Sequence, residues 1–145
     1  MPVSRLGGQV TRILGGDKAF TLECKDFLGR ILNKKRDYTQ AERLHREVLD
    51  TKTSSPGGKI PFVGDTLQYL AECLLTQGKN TAACDFMEQS VRSSYENLGG
   101  DHPRTKEAVD LLVEIFSSSN KADEAVYILK SMGLTAEGNA VINDY

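Results

Sequence analysis

No run in this sequence reaches the roughly 18 consecutive apolar residues that a membrane-spanning helix needs. The opening Met1-Pro2-Val3-Ser4-Arg5 lacks the apolar core of a secretory signal, and Pro2 stands where myristoylation requires glycine. The sequence contains neither Asn-x-Ser/Thr nor Cys-x-x-Cys. Its cysteines are few and odd in number: Cys24, Cys73 and Cys84. That set does not suit a disulfide framework or a zinc site, so buried free thiols in a reducing compartment are expected, with a cytoplasmic or nuclear address. A large net charge is missing too. The formal value of −2 excludes a strong polyelectrolyte attraction to nucleic acid or to a membrane surface.

Histidine is as sparse as cysteine. His45 sits on a helix face where the corresponding positions of later segments hold Met87 and Leu129, so it reads as a packed core residue. His102 precedes Pro103 at a helix start and reads as a cap. No Cys–His or Ser–His–Asp set is visible, so no enzymatic activity, catalytic residue, cofactor or metal ligand is expected. The segment Ser55-Pro56-Gly57-Gly58-Lys59-Ile60 is only a faint likeness of a phosphate-binding loop. Thr53 stands where glycine is required, and Ile60 where Ser or Thr must follow the lysine. Ser55-Pro56, in the polar stretch Thr51–Pro56, fits a proline-directed phosphorylation site.

What is present is an ordinary soluble composition, 39% hydrophobic and 26% charged, which argues against general disorder. The length suits one domain. Charge is unevenly spread: residues 1–50 hold ten Lys/Arg against seven Asp/Glu, a balance of +3, which leaves −5 for residues 51–145.

The chain also repeats itself. Ala41, Ala83 and Ala125 end similar phrases and lie 42 residues apart. The same offset relates Leu14-Gly15-Gly16-Asp17, Pro56-Gly57-Gly58-Lys59 and Leu98-Gly99-Gly100-Asp101, and two periods carry Thr21 onto Thr105. Leu28, Leu70 and Leu112 coincide. So do Gly29, Ala71 and Val113, and then Leu32, Leu74 and Phe116. The i, i+1, i+4 spacing marks one face of a helix. A second face follows each alanine, at Leu44/His45/Val48, Phe86/Met87/Ser90 and Ile128/Leu129/Met132. Each unit is therefore a pair of amphipathic helices, and the small alanine lets the pair approach to the ~8–10 Å of packed helices.

This pattern predicts helices near 19–34, 39–51, 61–77, 80–97, 103–118 and 121–132. Pro61 and Pro103 suit first helical turns, Gly78 separates the two helices of the middle unit, and Gly133 suits a left-handed C-cap. The expected fold is all-α: a right-handed α-solenoid of three antiparallel helix pairs over residues 15–133. Residues 1–14 are expected as an N-terminal partial helix or cap, weakened by Gly7-Gly8, and residues 134–145 as a C-terminal tail or cap. The last helix pair would leave Val126, Ile128 and Leu129 with no fourth unit. Residues 134–145 are therefore expected either to fold back through Leu134, Val141 and Ile142, or to leave an end through which two chains stack.

Stacked helix pairs with a small residue in each resemble tetratricopeptide repeats. The period of 42, together with Leu98-Gly99-Gly100-Asp101-His102-Pro103-Arg104-Thr105, resembles the kinesin light chain variety. Ala41–Leu49 is similar to that family's second helix, and Thr66–Lys79 to its first helix and turn. The resemblance covers about residues 14–132 and implies a protein- or peptide-binding scaffold. Where the family carries cargo-contacting paired asparagines, this chain has Asp26-Phe27, Gln68-Tyr69 and Asp110-Leu111. The Lys/Asn clamp for chaperone carboxylates is absent as well. The alternatives are a regulatory subunit of an enzyme complex, or a fragment of a larger repeat-containing receptor.

First helices line the concave side of such an array. Counting from Leu28, Leu70 and Leu112, the concave positions are Glu23, Asp26, Arg30, Asp65, Gln68, Glu72, Glu107, Asp110 and Glu114. Seven of the nine are carboxylates and one is basic. Two readings stand: a solvated helix face, or an acidic groove for a basic segment of a partner protein.

Overall fold

The computed structural model describes residues 18–54 and 62–134. Among the described residues six helices follow one another: α1 Lys18–Lys34, α2 Tyr38–Thr53, α3 Gly64–Thr76, α4 Asn80–Leu98, α5 Pro103–Ser118 and α6 Ala122–Ser131. Each is paired with its neighbour in sequence, as α1 with α2, α3 with α4 and α5 with α6. The hairpins then stack through α2 against α3 and α4 against α5, which is an α-solenoid of three helix pairs. The expected start at residue 1–14 and the loop phrases at 14–17 and 56–61 lie outside the described residues, as does Ser55.

The period explains the core. Leu70, Leu74, Ala83, Leu112 and Ala125 are buried, as the repeated positions predict. Ala41, Ala83 and Ala125, the small residues of the repeated phrase, are all buried. A single apolar cluster runs from Leu70 through Met87, Val91, Leu112 and Ile115 to Leu129 and Leu134. Burying a side chain of this size contributes roughly 1.5–3 kcal/mol.

The turns inside the hairpins repeat as well. Arg36, Gly78 and Asn120 all have positive φ (66°, 78° and 59°), and they stand 42 residues apart. After each, the chain donates back to the end of the preceding helix: Asp37 N to Leu32 O at 2.9 Å, Lys79 N to Leu74 O at 2.9 Å, Lys121 N to Phe116 O at 2.8 Å. This is a left-handed helix stop made three times, and only the middle one is marked by glycine. Gly133 makes a fourth, with φ of 75° and Leu134 N donating to Leu129 O at 2.8 Å.

Helix starts mostly follow expectation. Pro103 opens α5, and His102 caps it by accepting from Arg104 N at 3.1 Å. The exception is α3, which begins at Gly64 and not at residue 61, so Phe62 and Val63 precede the helix. The reason is steric. A Cβ on Gly64 would lie 2.4 Å from the Phe62 ring and 2.8 Å from Ser94 Oγ, and Ser90 Oγ donates to the Gly64 carbonyl at 2.7 Å. The chain enters pressed against α4 and turns helical once past that contact. Leu134, expected in a C-terminal cap, is buried beside Gly100; Val141 and Ile142 lie outside the described residues.

Candidate functional site

A groove of about 370 Å³ opens where α1, α3 and the start of α5 come together. From α1 it receives Glu23, Asp26, Phe27 and Arg30; from α3, Asp65 and Tyr69. Lys52 reaches it from the end of α2, Phe62 from the approach to α3, and Arg104 from the first turn of α5. Three acids, three bases and three aromatic rings make a lining that is charge-balanced and partly apolar.

Beneath the groove lies a buried polar chain. The imidazole of His45, inside α2, has Nδ1 2.9 Å from Asp26 Oδ1. Thr66 Oγ1 donates to Asp26 Oδ2 at 2.6 Å and accepts from Lys52 Nζ at 3.1 Å. Gly29 makes room for the ring, since a Cβ there would stand 2.6 Å from His45 Cε1. The His45 and Tyr69 ring centroids are 5.7 Å apart, and the Arg30 guanidinium lies over Tyr69 at 4.7 Å. Burial, helped by the charge of Asp65 and opposed by that of Arg30, raises the Tyr69 pKa and keeps its phenol neutral. Across the mouth, Arg104 Nη1 donates to Asp65 Oδ2 at 2.7 Å.

Of the nine expected concave positions, the groove brings together Glu23, Asp26, Arg30 and Asp65. Asp26 is not a solvated carboxylate; it is buried, with its oxygens taken up by His45 and Thr66. Gln68 and Glu72 lie further along α3, half-buried, with Gln68 Nε2 donating to Glu72 Oε1 at 3.4 Å. Burial pushes the Glu72 carboxyl above its ordinary range, with the charge of Glu107 adding to it, against Gln68 and Arg30. Glu107, Asp110 and Glu114 are exposed on α5. The counting rule missed Lys52, Phe62 and Arg104, which come from a second helix, a loop and a helix start. It also passed over Phe27 and Tyr69, although these are the second members of the pairs standing where the resembled family has asparagines.

The groove offers recognition chemistry. His45 is buried, and the Thr66 hydroxyl donates to Asp26 instead of to the imidazole, so the three do not form a nucleophile–base–acid relay. Cys73 and Cys84 are buried while Cys24 is half-buried, so the expectation of buried thiols fails at Cys24, which lies on the outermost described helix. Burial, with the charge of Glu42, pushes the Cys73 thiol up to about 11, far from a thiolate at neutral pH. Among the described residues no group of three His, Cys, Asp or Glu could hold a metal ion, and no helix is long and apolar enough to cross a membrane.

Comparison with known proteins agrees with this geometry. A family model described as tetratricopeptide repeat matches residues 21–53, which is the α1–α2 hairpin. Over that hairpin this chain is similar to the tetratricopeptide repeat. The crystal structure of BtubC (BKLC) from P. vanneervenii is similar to it, with a TM-score of 0.64 and 20% sequence identity. That similarity covers 92% of this chain and 58% of BtubC, so the repeat protein spans less than two thirds of that chain and shares its fold. No curated protein matches. Tetratricopeptide repeats generally mediate protein–protein contact.

Proposed function

We propose that this repeat protein is an interaction scaffold that holds an extended segment of a partner protein along its concave face. The observation that carries the reading is the groove itself. Phe27, Phe62 and Tyr69 offer an apolar floor for one side chain of the segment, and the exposed Glu23 beside them offers an ion pair to a residue that follows. The segment we favour is basic, because Glu72, Glu107, Asp110 and Glu114 continue the concave face beyond the groove with no lysine or arginine among them. Complementarity of this kind raises the on-rate and selectivity more than raw affinity. Residues 15–133 act as the three-repeat binding unit, in a reducing, cytoplasmic setting that suits the free thiols.

A Lys/Arg-rich peptide is expected to bind with a Kd in the micromolar range, weakening as salt rises past roughly 0.15 M, where the screening length is ~8 Å. The triple change Glu72→Lys, Asp110→Lys, Glu114→Lys is expected to abolish binding while leaving the helical signal intact. Binding should also fade on acidification sooner than ordinary glutamates would allow, since the Glu72 carboxyl takes up its proton above the usual range. Calorimetric titration decides the matter: equal binding of acidic and basic peptides to the unchanged protein would refute the basic-segment reading.

A further inference from the structure

The outermost described helices carry two faces that the repeat register shows to be halves of one contact. At each inner junction, the second helix of one unit covers a stripe on the first helix of the next. On α3 the stripe includes Thr66 and Cys73, both buried under α2. Lys52 Nζ donates to Thr66 Oγ1 at 3.1 Å, and Cys73 Sγ donates to Tyr38 O at 3.3 Å. On α5, 42 residues further on, Ala108 and Ile115 are buried in the same way. The same two positions on α1 are Cys24, half-buried, and Ile31, 36% exposed. Phe27 beside them is 61% exposed, where its counterparts Tyr69 and Leu111 are half-buried.

The opposite half lies on α6. Glu42 on α2 faces the following unit, and its counterpart Cys84 on α4 is 2% exposed within the apolar cluster that the second and third units share. The next member of that series, Val126, is 51% exposed. The helix ends add a charge argument. At the α2–α3 junction the start of α2 meets the end of α3, with Glu42 Oε1 accepting from Gln77 Nε2 at 2.9 Å and from Lys79 Nζ at 3.2 Å. Carried to the outer faces by the 42-residue register, Glu42 becomes Val126, Gln77 becomes Lys35 and Lys79 becomes Asp37. The first turn of α6, with Asp123 and Glu124, then lies near the end of α1, where Lys34, Lys35 and Arg36 precede that one aspartate.

We propose that a second copy of this chain docks its α1 stripe onto α6, continuing the solenoid head to tail in the register of the inner junctions. Such a contact is heterologous, so it adds copies in series and does not close on a pair.

Sedimentation equilibrium of the full 145-residue chain tests this. The weight-average mass is expected to rise with concentration beyond that of two chains, and to fall as salt is added. Ile31→Asp and Val126→Asp, both at exposed positions, should each hold the protein at one chain with an unchanged circular-dichroism melt. An equimolar mixture of the two variants should form pairs and stop there, because one supplies an intact α6 and the other an intact α1. A wild-type chain that stays monomeric at every concentration overturns the proposal. So does a mixture that fails to pair, or association that survives Val126→Asp, which would mean that α1 pairs with α1.

Discussion

The two inner junctions occupy the same positions of the repeat and are built from opposite materials. Between the second and third units, Met87, Val91, Ala108, Leu112 and Ile115 belong to one continuous apolar cluster. Between the first and second units, the corresponding ground holds His45, Asp26, Thr66 and Lys52, joined by hydrogen bonds of 2.6–3.1 Å. The comparison teaches that the period fixes where helices meet but leaves the chemistry of the meeting open. An apolar junction is tolerant, because hydrocarbon needs only to exclude water. A buried polar one is demanding, because each donor and acceptor must find its partner in one geometry. The polar junction is also the one under the groove, so the same hydrogen bonds that join two repeats set the floor of the candidate binding site.

The largest expected effect breaks the polar side. Asp26→Ala removes the acceptor shared by His45 and Thr66 and leaves both buried without it, which is expected to cost about 3 kcal/mol. The counterpart Asp110→Ala, on the exposed face of α5, is expected to change stability by less than about 0.5 kcal/mol. A sharper form of the comparison copies one junction into the other. The triple change Asp26→Ala, His45→Met, Thr66→Ala installs at 45 and 66 the residues that stand 42 positions on, and it should cost far less than Asp26→Ala alone, since the buried partners of the carboxylate leave with it and Lys52 keeps the Phe62 carbonyl. Urea unfolding of the four proteins tests this; a triple variant as unstable as the single one would mean that the junctions differ by more than side-chain chemistry.

On the apolar side the weak point is overpacking. Ala83 is fully buried where α4 meets its neighbours, and Ala83→Leu is expected to cost roughly 1–3 kcal/mol by forcing the middle hairpin apart. An unchanged thermal midpoint would contradict the register on which the whole comparison rests.

Glu42 gives the comparison a pH axis. Its counterpart at the second junction is Cys84, which is buried and apolar. Burial alone would raise the Glu42 carboxyl. Hydrogen bonds from Arg46, Gln77 and Lys79 outweigh that and hold it at about 2, against 4.5 for a free glutamate. A depressed carboxylate stabilises the fold above the unfolded value and loses that contribution as pH falls through the folded one. Stability should therefore drop between about pH 4.5 and about pH 2. Glu42→Gln should cost about 1–2 kcal/mol at neutral pH and progressively less across that window. Melting curves of both proteins from pH 7 to pH 2 would show the gap close; a gap independent of pH would remove Glu42 as its cause.

Much of the fold was legible in the sequence because a repeat reports each position three times. Spacing alone assigns Leu70 and Leu112 to the core, and Pro103 with His102 to a helix start. The site was legible in part. Glu23, Arg30 and Asp65 follow from helical counting on the first helices, and all three line the groove. Asp26 follows by position as well, but its burial does not, because that depends on His45, 19 residues away, and Thr66, 40 residues away, and nothing local to an aspartate announces distant partners. Lys52 and Arg104 were invisible for a related reason: they enter the groove from the end of a second helix and from a helix start, which counting along the first-helix faces does not reach.

The turns are the clearest case of a signal that one repeat carries and the others hide, and they give the smallest expected effect. Left-handed backbone is read from glycine, so Gly78 marked its turn while Arg36 and Asn120 did not. The structure places all three in the same conformation with the same closing hydrogen bond. Asparagine adopts that region more readily than arginine, whose Cβ crowds the following carbonyl at about 1–2 kcal/mol. Glycine escapes the clash but gives back part of the gain through the entropy of its freer unfolded chain. Arg36→Gly is therefore expected to stabilise the protein by about 0.5–1 kcal/mol, and Asn120→Gly by less. Gly78→Ala should move the other way by a similar amount. Arg36 is exposed and no side-chain hydrogen bond or ion pair involves it among the described residues, so the backbone term is not masked by a lost contact. Differential scanning calorimetry reads the sign directly: a lower midpoint for Arg36→Gly would mean that the first turn is relaxed by some means the other two do not share.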